Sequence, residues 1–408
     1  MGSFRPPGAR HPMHAALGGY RAALAHRPYR RLWLAAIISR AGDTINFTAL
    51  PLLVFGITGS VAAVAGTVFA EGIGLIVGGI LAQLIVDRLP PRQLLVYLDL
   101  FRAGAAALLA AIPTVPTAVG VSFLLAAGTA SFSPVSNAVI PRLVPSAALP
   151  AANGLQWTAG VLLQLVAAPV AGLLVSSGYA RLAFALNAAS FLGSAWLLTG
   201  LPALASLQGK PGVAWAQLAG TVRAIRSVRI LPPLLAMQGL AALAVGATSA
   251  LLVVLARQAY QLSGTGYGLW LSTIAIGALI GPFLVSMLDQ LPSRYVIGGA
   301  YIVRGCGDAG LGLLRNAVGA GALLGIYGVN TSSGMVTFQT MIQREVPSPI
   351  RGRAFALLDV VWQSGRLISI AAGAAVAASI GIRAVFLLGG GLLIAAGVIG
   401  IRTLPSQR

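Results

Sequence analysis

The sequence predicts an all-α polytopic membrane protein, with twelve transmembrane helices in two parallel six-helix halves. Three observations carry that prediction: a composition that cannot face water, apolar runs of one bilayer's length, and an internal repeat. Of 408 residues, 57% are hydrophobic and 9% charged, with a mean hydropathy of +0.87, whereas a soluble domain carries roughly 25% charged residues. Eight acidic and 27 basic side chains cannot coat a chain of this length. A backbone in lipid must satisfy its own hydrogen bonds, so such a chain forms helices or a closed barrel. The apolar runs are about twenty residues long, enough for a helix to cross the hydrocarbon layer, and lack the alternation of a barrel strand.

Pro, Gly and Arg punctuate these runs. The first half places spans at 32–55, 62–86, 93–113, 116–140, 154–176 and 182–204, and the second at 231–256, 266–288, 295–314, 317–340, 353–379 and 382–402. The remaining segments are a basic N-terminal tail (1–31), a linker (205–230) and a short C-terminal tail (403–408), around bundles at 32–204 and 231–402. The halves repeat each other at an offset of 202 residues. DRLPPR at Asp87 to Arg92 falls on DQLPSR at Asp289 to Arg294, Arg102 on Arg304, and IPRLVPS at Ile140 to Ser146 on IQREVPS at Ile342 to Ser348. Parallel halves of this kind are a repeat plan of secondary transporters, with the substrate site at the midplane between them.

A net charge of +19 raises the question of nucleic acid, but the basic residues are distributed by topology. Nineteen of the 27 fall on the side holding both termini, four on the other side, and four inside spans. By the positive-inside rule both termini are cytoplasmic, and no interleaving of Arg with aromatics favours nucleic acid. Twenty-six Arg against one Lys suggests a GC-rich bacterial genome, hence a multi-pass protein of the bacterial inner membrane. The one cysteine, Cys306, excludes an intrachain disulfide. All three histidines lie in the N-terminal tail, so the spans offer no His for metal binding or base chemistry. No GxxxxGK[ST] loop is present, which argues against ATP as energy source. No cofactor, metal site or enzymatic constellation is expected, and the chain is read as a monomer whose partners are lipid, a small-molecule substrate and protons.

Charge inside a span is costly unless paired or hydrated, and this makes the acidic inventory informative. Asp43, Glu71, Asp99, Asp308 and Asp359 fall within spans, as do Arg40, Arg102, Arg304 and Arg366. Helix spacing puts Arg40 with Asp43 and Asp99 with Arg102 at i to i+3, and Arg304 with Asp308 at i to i+4, each couple on one helix face. With no His in the spans, a transported proton must ride on a carboxylate. Asp43, roughly 17 Å along span one at the helical rise, and Glu71 in span two are the first proton-coupling candidates. Asp308 and Asp359 come second, with the four arginines as charge partners, and Arg366 alternatively meeting an anionic substrate. Structural pairing and direct binding of a cationic substrate are the competing readings. Asp99 lies roughly 10 Å from the cytoplasmic end by the same rise, so Asp87, Arg88, Arg92, Asp99, Asp289 and Arg294 form a candidate cytoplasmic gate. Asn46, Asn137, Gln156, Gln164, Gln238, Asn330 and Gln339 are candidate cavity residues, each with an interhelical hydrogen bond as the alternative.

Four stretches carry a family resemblance: RLWLAAIISRAGDTINFTALPLLVFGITGS from Arg31, SPVSNAVIPRLVPSAALPAANG from Ser133, YGLWLSTIAIGALIG from Tyr267, and QREVPSPIRGRAFAL from Gln343. They resemble the major facilitator superfamily, and within it the macrolide-efflux and enterobactin-exporter branch of drug:proton antiporters. The resemblance implies alternating access and a loop after span two that latches the cytoplasmic side. The superfamily's pattern for that loop is kept at Asp87, Arg88 and Arg92 and departs at Gln83, Pro90 and Pro91. The span-five antiporter pattern is represented by Ala168, Pro169, Ala171 and Gly172, and the span-four basic residue of many drug antiporters is missing. The function this implies is proton-coupled export of amphipathic small molecules such as an antibiotic, siderophore or metabolite. An uptake symporter or lipid translocator of the same fold is the alternative.

Overall fold

The computed structural model describes residues 12–85, 88–204, 228–287 and 291–404. Helix α1 (Pro12–Ala25) precedes a first group of six: α2 (Arg27–Thr58), α3 (Val61–Ile85), α4 (Pro91–Ala111), α5 (Val115–Leu143), α6 (Leu149–Ser176) and α7 (Ala180–Thr199). The second group is α8 (Leu231–Ala250), α9 (Gly264–Met287), α10 (Ser293–Leu313), α11 (Ala317–Glu345), α12 (Ser348–Ile380) and α13 (Ile382–Thr403). After α8 the chain continues through a short helical stretch, Leu252–Val254, and a π-helical turn, Leu255–Ala259.

Among the described residues, ten helices are long and apolar enough to cross a membrane. The other two of the twelve are α10, which carries Arg294, Arg304 and Asp308, and α11, which carries Asn330, Thr331, Ser332 and Gln339. Helix formation outruns the apolar runs at several ends. The segment before span one is helical as α1, and α2 starts at Arg27 because Pro28 suits a helix's first turn, where no amide partner is needed. Gly59 ends α2 in the left-handed region at φ 60°, its N–H donating to the Phe55 carbonyl at 2.7 Å. Side-chain caps start α5 and α11, where the Thr114 hydroxyl and the Asn316 carbonyl accept from Thr117 and Val318 amides.

Each half packs in the same pattern. Helix α3 lies on α5 as α9 lies on α11, α4 on α7 as α10 on α13, and α2 on α6 and α7 as α8 on α12 and α13. Small residues set these approaches, as lipid supplies no hydrophobic drive between helices. A Cβ on Gly78 would meet the Ala127 carbonyl oxygen at 2.2 Å, and one on Gly277 the Gly325 oxygen at 2.0 Å. The halves meet through α3 against α12 and α6 against α9, two contacts related by the repeat. Their tightest points lie toward the end at which α2 finishes, hereafter the far end. There Gly172 abuts Gly264, Gly268 abuts Ala168, and the Ser272 hydroxyl donates to the Leu165 carbonyl at 2.7 Å.

Candidate functional site

Between the halves lies a cavity of about 490 Å³, bounded by α2, α3, α5 and α6 from the first half and α8, α9 and α12 from the second. Four charged side chains line it: Arg40, Asp43, Glu71 and Arg366. The remainder mixes hydroxyls and amides, such as Thr44, Asn46, Thr129 and Gln164, with Phe47, Leu75, Leu125 and Leu271.

Asp43 sits near the middle of α2 and is 32% exposed. Its partner is Arg102 of α4, with Nη1 3.6 Å from Asp43 Oδ2. Arg102 is only 1% exposed and also binds Asp99, one turn earlier on its own helix, which is fully buried. Its guanidinium lies between the rings of Phe132 and Phe191, 4.4 Å from each centroid, and Nη1 donates to the Thr129 hydroxyl at 3.3 Å. A Cβ on Gly128 would stand 2.6 Å from Arg102 Cγ, so the glycine leaves the room through which the arginine passes. A cation held by two carboxylates and two ring faces is fixed in position. Of its two acids, Asp43 alone lines the cavity.

Helix spacing pairs Arg40 with Asp43; the two act on each other electrostatically but form no ion pair within 4.0 Å. Arg40 turns to α6, where Nη1 donates to the Gln156 carbonyl at 2.8 Å, while Asp43 faces α4. An i to i+3 separation leaves about 60° between two side chains, and each follows the neighbouring helix on its own side. Asp99 and Arg102 do pair. Asp99 is thereby drawn into the buried cluster and away from a gate with Arg92, whose Nη1 donates to the Leu201 carbonyl at 3.3 Å. Glu71 pairs across the halves with Arg366, at 3.4 Å, the two being 29% and 20% exposed.

In the second half, the Arg304–Asp308 couple is not among the ion pairs closer than 4.0 Å in the described residues. Arg304 stacks on Tyr327 at 4.0 Å and donates to the Thr331 hydroxyl at 3.5 Å, while Asp308 accepts from the Thr248 hydroxyl at 3.3 Å. The repeat is visible in these contacts, since Thr331 stands to Arg304 as Thr129 stands to Arg102. The acids have not been kept: Val245 and Tyr301 occupy the counterparts of Asp43 and Asp99. Asp359 is exposed on α12.

Asp87 and Asp289 lie outside the described residues. Arg88 is exposed, and Arg294 stacks on the adjacent Tyr295 at 4.7 Å. Of the seven neutral polar candidates, Asn46 and Gln164 line the cavity. Gln156 is buried beneath Arg40, Asn330 bonds back to the Ile326 carbonyl of its own helix, Asn137 and Gln339 are exposed, and Gln238 is partly buried on α8. Composition gives no signal for Thr44, Thr129, Ser249 or Tyr267, which line the cavity because of helix rotation.

Exchanging the two ends of the interhalf pair tests its geometry. Arg366→Glu places two carboxylates together and is expected to abolish transport, and adding Glu71→Arg is expected to recover a substantial part of it, read as uptake or efflux by reconstituted protein.

The fold compares with solved transporters at low sequence identity. The nucleoside transporter NupG aligns with TM-score 0.74 and 13% identity, over 92% of this chain and 98% of that one. A D-xylose–proton symporter gives 0.71 and 15% over 93% and 98%, and a bacterial homologue of the iron transporter ferroportin in an inward-facing state gives 0.70 and 18% over 94% and 99%. Identities at this level show a shared fold alone. No curated protein matches the chain by sequence. A family profile described as transmembrane secretion effector matches residues 19–407, nearly the whole length. With the duplicated six-helix halves and the cavity between them, the chain belongs to the transmembrane secretion effector family of major facilitator transporters.

Proposed function

We propose that this transporter exports amphipathic small molecules in exchange for protons, by alternating access, across the bacterial inner membrane with both termini in the cytoplasm. The observation that carries the reading is Asp43, a partly exposed carboxylate in the cavity held by a buried arginine stacked between two rings. Ionised, Asp43 ties α2 to α4 through Arg102. Protonated, it releases that tie, and Arg102 keeps Asp99 as its remaining counter-ion. A proton is thus converted into a change in how two helices of one half are joined. Glu71 and Arg366 are the pair that must part if the halves rock open at the far end. The mixed apolar and polar lining suits an amphipathic substrate. The role fits the resemblance to macrolide and siderophore exporters, and the protein works as a monomer with 32–204 and 231–402 as its two moving bodies.

Proteoliposomes test the coupling. Wild-type protein is expected to expel a fluorescent amphiphile when a proton gradient is imposed, with proton movement on adding substrate. Asp43→Asn is expected to lose the gradient dependence while retaining downhill exchange. Unchanged pH dependence in both Asp43→Asn and Glu71→Gln would exclude these residues as proton carriers, and substrate moving with the proton would make the protein a symporter.

A further inference from the structure

The four charged groups lining the cavity are not equivalent. Asp43 is held by Arg102, and Glu71 and Arg366 hold each other. Arg40 is the exception: among the described residues no carboxylate stands within 4.0 Å of it, Asp43 acts on it only from beyond that distance, and its one side-chain hydrogen bond is to the Gln156 backbone carbonyl. A guanidinium carries five N–H donors in a planar fork, so most of Arg40's capacity is unspent. Its side chain is exposed, and Gly160 beneath it leaves the head group free, as a Cβ there would approach Arg40 Nη1 at 3.3 Å.

We infer that Arg40 is the anchor for an anionic head group, so that the substrates of this cavity are amphiphiles bearing a carboxylate or another oxyanion. A cationic substrate would need an unpaired acid, and both acids lining the cavity are already engaged by arginine. An oxyanion finds at Arg40 a fork whose spacing matches two of its oxygens. The apolar body has its place one to two turns further along α2 and across from it, against Phe47, which is 50% exposed, Leu75 and Leu271. The guanidinium also stands on the same helix as Asp43, one turn away, so a bound anion bears on that carboxylate. This inference rests on the cavity being the substrate chamber. It does not depend on the direction of transport or on protons.

The test is equilibrium binding to the full-length protein in phosphatidylcholine nanodiscs, which needs no gradient. Three probes share one apolar chain: dansyl-aminoundecanoic acid, its primary amide, and its trimethylammonium counterpart. Wild type is expected to prefer the carboxylate over the other two by about tenfold or more, equivalent to about 1.4 kcal/mol. Arg40→Gln is expected to remove that preference while leaving amide binding intact, which also shows that the variant is folded. Arg40→Lys is expected to keep part of it. Equal binding of all three probes by wild type, no binding of any, or a carboxylate preference that survives in Arg40→Gln would overturn the assignment. Loss of proton coupling with charge-selective binding intact would count against the exchange mechanism alone.

Discussion

Replacement of Gly172 by valine is expected to hold the two halves apart at the far end. A Cβ on Gly172 would lie 2.0 Å from the Gly264 carbonyl oxygen, 2.6 Å from its carbon and 3.0 Å from the Thr265 nitrogen. All three atoms are backbone of the opposing helix, so no rotamer change relieves the overlap. The reciprocal contact is as tight, since a Cβ on Gly264 would meet the Gly172 oxygen at 2.7 Å. Overpacking of this kind costs about 1–3 kcal/mol, which changes the ratio of two conformations by roughly 5- to 150-fold. With Cys306 replaced by serine and spin labels at Tyr179 and Val318, exposed positions of opposite halves, the distance distribution is expected to move to longer values. Transport should fall with it, because a carrier that cannot close one end cannot alternate. An unchanged distribution would mean that the halves do not close on this glycine pair.

Replacing Arg102 by methionine is expected to be the most damaging single change to folding. The side chain is 1% exposed, fills the space between Phe132 and Phe191, and neutralises Asp99, which is completely buried. Removing one member of a buried ion pair leaves an uncompensated charge and costs about 3–5 kcal/mol. Little monodisperse protein should survive solubilisation, and what does should melt well below wild type. Lysine should not substitute, because its ammonium lacks the planar fork that meets two carboxylates and two ring faces at once. Adding Asp99→Leu to Arg102→Met should restore much of the folded yield, as the orphaned carboxylate goes with its partner. A single Arg102→Met variant as stable as wild type would remove the cluster from any structural role.

The sequence contained the fold because a membrane chain writes its architecture in one dimension. Span length follows from bilayer thickness, and the 202-residue register between Arg102 and Arg304 is a property of the string that reappears in the structure as matching threonine contacts. The helix ends were less legible. Helix α1, at 14 residues, is too short to cross a bilayer, and the first turns of α2 carry Arg27, Arg30 and Arg31, so a search for apolar runs of span length misses both although their backbone is helical.

The charged site was legible only in part, for a physical reason. Burial cost identified which residues matter as charges, and single-helix spacing found Asp99 with Arg102. Spacing along one helix says nothing about the neighbour that a side chain meets. Asp43 and Arg102 are 59 positions apart, Glu71 and Arg366 are in different halves; both pairs exist because helix packing turned particular faces together. The same packing left Arg40 facing the cavity with a backbone carbonyl for company. Composition, span length and repeat thus settled what kind of protein this is, since each depends on local transfer of side chains from water to lipid. Which charges are paired, which one is free and where the halves touch depend on close contacts between helices distant in sequence, and only the tertiary structure decides those.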